Sequence, residues 1–239
     1  MTPRAGGPVI PNFGHASSCV TDNRFFCTDW VRAHWDDTLQ PALFQHIRLS
    51  PIAVSIGFVL AFVLALVAYR VRRLDHPIGL VSDFLYTIPS LALFQLLVPI
   101  TGLSVTTVEV ALVSYTLLIL YRNTLEGLRG VPEDVREAAR GMGLTSAQSL
   151  VRVELPLAVP AIVAGLRIAT VSTVSIATVA AFVIPQGLGR PIFTALGTNV
   201  FKTEIIAAGG LAIALALTAD VLLVLLQRAL TPWARRRRL

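Results

Sequence analysis

Five long, mainly apolar stretches run through this chain of 239 residues. Each is long enough to cross the hydrocarbon core of a bilayer, which takes about 20 helical residues. Lipid offers no hydrogen bonds to the backbone, and none of the stretches alternates in polarity as a barrel strand does, so we read them all as helices. The predicted spans are residues 51–69, 77–100, 105–121, 157–184 and 205–227. The sequence therefore predicts an all-α integral membrane protein.

The arginines indicate which side of the membrane each loop occupies. They form patches that follow the first, third and fifth spans: Arg70, Arg72 and Arg73; Arg122, Arg129, Arg136, Arg140 and Arg152; Arg228 and Arg235 to Arg238. Basic loops stay preferentially in the cytoplasm. We therefore expect an outer amino terminus and a cytoplasmic carboxyl terminus. This placement also accounts for the net charge of +6 without nucleic acid as a partner.

The flanks of the membrane domain differ from it in composition. Residues 1–23 are rich in Gly, Pro, Ser and Asn, which predicts a flexible extracytoplasmic tail without a secretory signal. Residues 24–50 mix aromatic and polar side chains, which favours an outer interfacial segment, with a plain linker as the alternative. Cys19 and Cys27 would face an oxidising compartment and could pair. The membrane domain is predicted over residues 51–230, followed by a basic cytoplasmic tail, 231–239.

The loop between spans three and four, residues 131–156, is the most informative segment. Glu133 places negative charge near the positive end of a predicted helix. That helix should stop at Gly141-Met142-Gly143, after which Thr145 and Gln148 have the spacing of a capping box. The loop therefore predicts a helix, a glycine corner and a second short helix.

The same loop resembles the signature of permease subunits of bacterial ABC importers. In that family a Glu-Ala-Ala triplet is followed at fixed offsets by a glycine, an aliphatic residue and Leu-Pro. The residues at those positions here are Glu137, Ala138, Ala139, Gly143, Val153, Leu155 and Pro156. The resemblance implies the transmembrane domain of a type I ABC importer, in which this loop receives the motion of a separate ATPase.

The likeness extends over most of residues 46–232 and is nearest to osmoprotectant permeases of the ProW and ProZ kind. Four further segments carry it: His46 to Ser50, Tyr86 to Leu93, Arg122 to Thr124 and Gly187 to Gly189. It implies import of a quaternary ammonium compound such as glycine betaine, choline or carnitine across the bacterial cytoplasmic membrane. The implied partners are ABC ATPase subunits that bind ATP and Mg, a second permease chain, identical or homologous, and an extracytoplasmic substrate-binding protein.

The physical properties of the loop suit this implied role. We expect Ala138 and Ala139 to let the loop helix seat in a groove of the ATPase. Gly143 should allow the sharp corner, and Pro156 should stiffen the entry to span four. The alternative is a loop helix that packs only on its own bundle.

Span four has a small residue at every fourth position. The six are Ala161, Gly165, Ala169, Thr173, Ala177 and Ala181. Such a ridge allows close helix approach in lipid. We therefore place span four in the bundle core or at a subunit interface, with chance in an alanine-rich segment as the alternative.

Ionisable side chains within the spans usually face protein or water. We expect Arg167 to pair with Asp83 or Asp220 on the inner half of the bundle, tying two helices whose relative angle changes during transport. Snorkelling of these side chains to the lipid headgroups is the alternative.

Span two combines polar side chains with a proline. A proline in mid-helix frees a carbonyl that a partner helix or a watery cavity must satisfy. We expect this stretch to line the translocation pathway through Tyr86, Thr87, Pro89, Ser90 and Gln95. A kink needed only for packing is the alternative.

The sequence contains no pattern for catalysis. It has no Gly-rich loop ending in Gly-Lys-Ser or Gly-Lys-Thr, and its one lysine, Lys202, is predicted outside. It also has no cluster of His and Cys with the spacing of metal ligands. We therefore expect a transport subunit, not an enzyme, with ATP hydrolysis on a partner chain. Two rivals stay open: a permease for methionine or another amino acid, and a channel or membrane scaffold that needs no ATPase.

Overall fold

The computed structural model describes residues 18–198 and 200–232, and every regular element within them is helical. Residues 1–17 of the predicted amino-terminal tail and residues 233–239 of the predicted basic tail lie outside the described residues. The α-helices are α1 (Ser18–Thr21), α2 (Thr28–Ala33), α3 (Gln40–Arg70), α4 (Asp75–Thr87), α5 (Ser90–Thr101), α6 (Val105–Arg129), α7 (Glu133–Gly141), α8 (Ser146–Ser149), α9 (Leu155–Ala180), α10 (Gly189–Gly197) and α11 (Lys202–Leu230). Turns of π-helix precede α3 and α9 at Trp35–Leu39 and Leu150–Glu154, and a 3₁₀ turn, Arg72–Leu74, precedes α4.

Within the described residues, four helical segments are long and apolar enough to cross a membrane. They are Trp35–Arg70, Val105–Arg129, Ser146–Ala180 and Lys202–Leu230. The bent pair of α4 and α5 makes five crossings if it is counted as one span. The predicted all-α membrane class is therefore confirmed. The second predicted span differs from the prediction because it is a bent pair of helices.

The first membrane helix begins earlier than the sequence predicts. α3 starts at Gln40 and runs through Pro51, which has no N–H to donate inside the helix. The π-helical turn before it extends the helical run back to Trp35. Residues 40–50, predicted as the end of an outer interfacial segment, are therefore continuous with the helix of the first span, and His46 within them is fully buried.

The second predicted span, residues 77–100, is not one helix. α4 and α5 meet at 101° across a break at Ile88 and Pro89. Proline disfavours helical geometry at the preceding residue, and Ile88 is extended with ψ of 127°. The Ile88 carbonyl accepts a hydrogen bond from the Tyr115 hydroxyl on α6. A neighbouring helix therefore stabilises the bend.

Small residues let α3, α6 and α9 approach closely and form the core of the bundle. A Cβ atom on Gly57 of α3 would lie 1.8 Å from Oγ1 of Thr116 on α6. One on Gly165 of α9 would lie 2.4 Å from Cβ of Asn123 on α6. The small-residue ridge of span four therefore packs on α6 within the chain. In that ridge Ala161 is half-buried and the other residues are buried.

Candidate functional site

Residues 131–156, which we call the elbow, form a helix, a corner and a second helix. α7 ends at Gly141, and Gly143 occupies the left-handed region with φ of +82°. Thr145 Oγ1 accepts a hydrogen bond from the N–H of Gln148, whose side-chain oxygen accepts one from the N–H of Thr145. From α8 the chain continues through the π-helical turn directly into α9. A displacement of α8 would therefore be carried into a membrane helix.

The signature residues divide between an exposed face and the interior of the elbow. Glu137 and Ala138 are exposed, and Met142 beside them is 72% exposed. Ala139 is only 1% exposed, so the chain's own residues cover it. The expectation that both alanines seat in a partner's groove is therefore wrong for Ala139. Of the other four, Gly143 is exposed, and Val153, Leu155 and Pro156 are half-buried where the elbow joins α9.

A buried carboxylate that the sequence analysis did not single out bonds the elbow to a membrane helix. Glu154 is 6% exposed and accepts hydrogen bonds from the hydroxyls of Tyr69, near the end of α3, and of Ser149 on α8. Nε of Arg136 on α7 lies 4.0 Å from the same carboxylate, and the Arg136 guanidinium lies over the Tyr69 ring. The signal that could have revealed this residue is a charge directly before the Leu-Pro of the signature, at the start of an otherwise apolar helix.

Arg136 also ties α7 to the end of α6. Its Nη2 donates to the carbonyl oxygens of Leu128 and Arg129, at 2.9 and 3.3 Å. Its Nη1 donates to Glu133 at 3.0 Å. A guanidinium with several donors in one plane is suited to bridging such groups. The inner side of α7 is therefore fixed to the bundle while its outer face stays open.

A further polar group joins α4 to α6 beside the elbow. Asp75 accepts hydrogen bonds from the Tyr121 hydroxyl at 2.7 Å and from Arg129 at 2.8 Å. Between this group and the elbow lies a cavity of about 760 Å³. Its charged lining residues are Arg70, Arg72, Asp75, Arg129, Glu133, Arg136, Arg140 and Glu154. The arginines of two predicted cytoplasmic patches therefore meet at one end of the bundle.

Arg167 on α9 and Asp220 on α11 form a two-pronged ion pair in the membrane-spanning part of the bundle. Nε and Nη2 of Arg167 lie 2.8 and 3.0 Å from the carboxylate oxygens of Asp220. Asp83, the alternative partner, lies instead 2.9 Å from Arg122, so the pairing of Arg167 with Asp83 is wrong. The Arg167–Asp220 pair lines a groove of about 500 Å³ between α9 and α11. It links these two helices in the conformation described here.

The polar residues of the second span lie around the bend between α4 and α5. Tyr86, Thr87, Pro89 and Gln95 are exposed in the single chain, and Ser90 is half-buried. The Tyr86 ring packs edge-on against Tyr115, with ring centroids 6.0 Å apart. Polar side chains exposed at a broken membrane helix can be accommodated by a watery cavity or a second subunit. Their place in a pathway stays a prediction.

Residues 19–34, which we call the clamp, are attached to the bundle by contacts that the sequence analysis missed, although it allowed for a pair between Cys19 and Cys27. A disulfide joins Cys19 to Cys27, and Asn23 between them reaches the start of α11. The Asn23 amide nitrogen donates to the Val200 carbonyl at 3.2 Å, and its side-chain oxygen accepts from the N–H of Lys202 at 3.0 Å. Asn23 thus satisfies a donor in the first turn of α11 that has no helical partner. Residues 19–23, predicted as part of a flexible tail, are therefore held against the bundle.

Two further contacts, made by Arg24 and Trp30, strengthen the attachment of the clamp to the start of α11. The Thr203 hydroxyl donates to the Arg24 carbonyl at 3.2 Å. Trp30 packs edge-on against Phe201, with ring centroids 5.2 Å apart. The clamp therefore covers the residues at the start of α11.

His46, in the half of α3 nearer the clamp, joins this helix to α9 and to the loop before α10. Its Nε2 lies 3.0 Å from the Val174 carbonyl, and its Nδ1 accepts the N–H of Leu188 at 3.2 Å. A Cβ on Gly187 would lie 2.9 Å from that Nδ1, and φ of +66° there also favours glycine. Two of the segments that carry the family resemblance, at residues 46–50 and 187–189, thus meet at one buried histidine.

Comparison with known protein families identifies the family of a chain with this elbow and these membrane spans. Residues 53–236 match the family described as binding-protein-dependent transport system inner membrane component. The chain belongs to this family. The elbow lies inside the matched residues, whereas the clamp lies before them. Membership in the binding-protein-dependent transport family confirms the predicted class of membrane transport subunit and places the chain in the inner membrane.

Several relatives in this family are named as permeases. The choline transport system permease protein OpuBB of Bacillus subtilis (strain 168) is 37% identical over 190 residues, which cover 79% of this chain and 87% of that protein. The glycine betaine/carnitine/choline transport system permease protein OpuCB of the same organism is 35% identical over 190 residues, covering 79% and 86%. The osmoprotectant import permease protein OsmW of Salmonella typhimurium is 36% identical over 195 residues, covering 79% and 90%.

A solved structure confirms the predicted fold. A chain of the MetNI methionine ABC transporter in an inward-facing conformation has a TM-score of 0.73 and covers 81% of this chain and 96% of its own length. At 21% identity, this likeness shows the fold alone. The transmembrane domain therefore has the fold of a type I ABC importer transmembrane domain.

Proposed function

We propose that this chain is the permease subunit of an ABC importer that moves a quaternary ammonium osmoprotectant inward by alternating access. The observation that carries the proposal is the form of the elbow. Its outer face, with Glu137, Ala138 and Met142, is open, while its inner side is bonded to α3 and α6 and continues into α9. A helix whose inner side is fixed to the bundle and whose outer face is exposed is suited to binding an ATPase subunit.

The substrate class is supported by the relatives. Their names specify choline, glycine betaine and carnitine, over an aligned region that covers about four fifths of this chain. The methionine transporter shares the fold but, at 21% identity, carries no argument about the substrate. The substrate proposed is therefore a small solute with a quaternary ammonium group.

The proposed assembly adds a second permease chain, ABC ATPase subunits that bind ATP and Mg, and an extracytoplasmic substrate-binding protein. At most five spans are present among the described residues, and they leave the bend between α4 and α5 open on the surface of the single chain. A second permease chain would enclose this bend and form a pathway along its polar residues. The ring face of Tyr86 offers a weak site for a cationic group within that pathway.

Reconstitution of the full transporter in proteoliposomes tests the proposal. We expect uptake of labelled glycine betaine, choline or carnitine to require ATP and the ATPase, and to be unaffected by excess methionine. Uptake that persists without the ATPase would contradict the proposal and favour a channel. Uptake that methionine abolishes would move the substrate to the amino acids.

A pair of glycine substitutions tests the elbow itself. Gly143→Val should reduce ATPase co-purification and uptake by about tenfold or more, because a β-branched residue at φ of +82° costs about 1–3 kcal/mol. A Cβ at Gly143 or at Gly141 would meet no atom within 4 Å, so the two positions differ in backbone geometry and not in space. Gly141→Ala should therefore retain both activities. Equal behaviour of the two variants would contradict a role for the corner.

A further inference from the structure

The carboxylate of Glu154 is buried at the junction of the elbow with α9. Burying a charge is costly unless hydrogen bonds satisfy it. Here each carboxylate oxygen has a donor, since Ser149 donates to Oε1 at 2.9 Å and the Tyr69 hydroxyl donates to Oε2. A chain that needed only to pack this site would place an apolar residue there, as it does at Val153 and Leu155 on either side.

The groups around Glu154 come from separate helices. Tyr69 lies near the end of α3, Ser149 belongs to α8, and Arg136 belongs to α7. Arg136 in turn donates to the Leu128 carbonyl at the end of α6. Glu154 itself is the last residue before α9. One side chain therefore lies where both arms of the elbow and the ends of three membrane helices meet.

The other ionic contacts of α7 are less suited to holding it. Glu133, which pairs with Arg136 and Arg140, is 58% exposed, and exposed ion pairs contribute little to stability. The corner at Gly143 has no side chain that would restrict rotation of α7 relative to α8. Glu154 is only 6% exposed, so its contacts are more deeply buried than the ion pairs of Glu133.

We propose that Glu154 is a positioning residue that holds α8 against α3 where α9 begins, with Arg136 of α7 4.0 Å away, so that a displacement of the elbow's outer face moves these membrane helices together. This inference rests on the proposed function, because it assumes a motor that displaces the elbow. Without the carboxylate, the elbow would still bind the motor through its outer face. Motion of the elbow would still reach α6 through Arg136, but its transfer to α3 would be lost.

Glutamine is the most informative replacement. Glu154→Gln keeps the size of the side chain. Its NH₂ group takes the place of one carboxylate oxygen and would face a hydroxyl group that donates to that oxygen in the original chain. Tyr69→Phe and Ser149→Ala each remove one donor and leave the carboxylate in place. Glu126→Gln is the matched control, because Glu126 is exposed on α6 and undergoes the same chemical change.

The experiment measures ATP hydrolysis and solute uptake in the same proteoliposomes containing the full transporter. In Glu154→Gln we expect the ATPase to remain bound and active while uptake per ATP falls about tenfold, within the range for loss of one member of a hydrogen-bonded network. Glu126→Gln should leave the ratio unchanged. Tyr69→Phe and Ser149→Ala should lower it less, because each removes one of the two hydrogen bonds and leaves the carboxylate in place.

An unchanged ratio in Glu154→Gln would overturn the inference, as would an equal loss in Glu126→Gln. If Glu154→Gln does not assemble, Tyr69→Phe decides: a lowered ratio supports the inference and a normal ratio overturns it. The proposed function fails in a different way, when the unaltered transporter itself shows no ATP-dependent uptake.

Discussion

The elbow and the clamp lie at opposite ends of α3 and are held in different ways. His46 near the clamp and Tyr69 at the elbow are separated by about 35 Å along the helix, at 1.5 Å per residue. The clamp is held by the Cys19–Cys27 disulfide and by hydrogen bonds from the uncharged side chain of Asn23. The elbow is held by a charged side chain, Glu154, and keeps an open face. The difference suits a clamp that stabilises the fold and an elbow that, in the proposed function, transfers motion.

Changes at the clamp end should lower the free energy of unfolding and leave ATPase association intact in the protein that folds. Changes at the corner and the capping box of the elbow should lower ATPase association and leave the free energy of unfolding nearly unchanged. The following substitutions test that contrast at individual residues.

The largest effect is expected at Gly189, the first residue of α10, which follows the loop that His46 holds. A Cβ there would lie 1.9 Å from the Thr178 carbonyl oxygen and 2.6 Å from Cβ of Ala181, and the carbonyl belongs to a helix that cannot move aside. Gly189→Val should lower the free energy of unfolding by about 3 kcal/mol or more, so that little folded protein is obtained. Gly197→Ala at the other end of α10, where a Cβ meets nothing within 4 Å, should stay within about 0.5 kcal/mol of the original chain. Yield and thermal unfolding in detergent measure both, and equal stability of the two would show that α10 is not packed on α9 as described.

Removal of the disulfide should have the next largest effect. The double change Cys19→Ser and Cys27→Ser should lower the free energy of unfolding by about 2 kcal/mol, because the unfolded chain gains freedom. ATPase co-purification should not change. The unreduced original chain, which has two cysteines, should offer no thiol to an alkylating reagent in a mass measurement. Alkylation before reduction would contradict the covalent closure of the clamp.

Two substitutions of Asn23 separate its hydrogen bonds from its backbone geometry. Asn23 has φ of +47°, which glycine adopts without strain and alanine does not. Both Asn23→Gly and Asn23→Ala remove the bonds to Val200 and Lys202, at a cost of about 1 kcal/mol, and alanine should add the strain. Thermal unfolding and hydrogen exchange at the Lys202 N–H measure the two contributions. A glycine variant as stable and as protected as the original chain would show that the clamp does not cap α11.

The smallest change in overall stability is expected in the elbow. Thr145→Ala removes the capping box of α8, which is worth about 1 kcal/mol to the local structure. Because this structure lies outside the bundle core, the melting temperature should hardly change while ATPase association falls severalfold. Ser146→Ala, one residue further on, should affect neither. A fall in melting temperature with normal ATPase association would remove the distinction between elbow and clamp.

Features that depend on neighbouring residues could be predicted from the sequence. The glycine corner and the capping box of the elbow follow from residues 141–148, all within one short segment. The apolar spans follow from composition over about 20 residues each. These features were found because their causes are local.

Features that depend on distant partners could not be predicted. The break at Ile88 is stabilised by Tyr115, 27 residues away, and Glu154 is bonded to Tyr69, 85 residues away. Asn23 meets Val200 across 177 residues. Nothing in the sequence around any of these residues identifies its partner.

The ion pair and the start of α3 illustrate the same limit. Depth along the helices allowed Arg167 to meet Asp83 or Asp220, and only the arrangement of α9 beside α11 selects Asp220. His46 falls within residues 24–50, where the mixture of aromatic and polar side chains favoured an interfacial segment. It lies in the first membrane helix because Val174 and Leu188 satisfy its ring nitrogens.

Site-specific photocrosslinking in the assembled transporter tests the central claim most directly. Met142 on the elbow and Phe25 on the clamp are large apolar residues that are 72% and 73% exposed, so a photoreactive amino acid fits equally well at either position. The account predicts a covalent adduct with the ATPase subunit from position 142 and none from position 25. An actively transporting complex with no ATPase adduct from position 142, or with one from position 25, would contradict it.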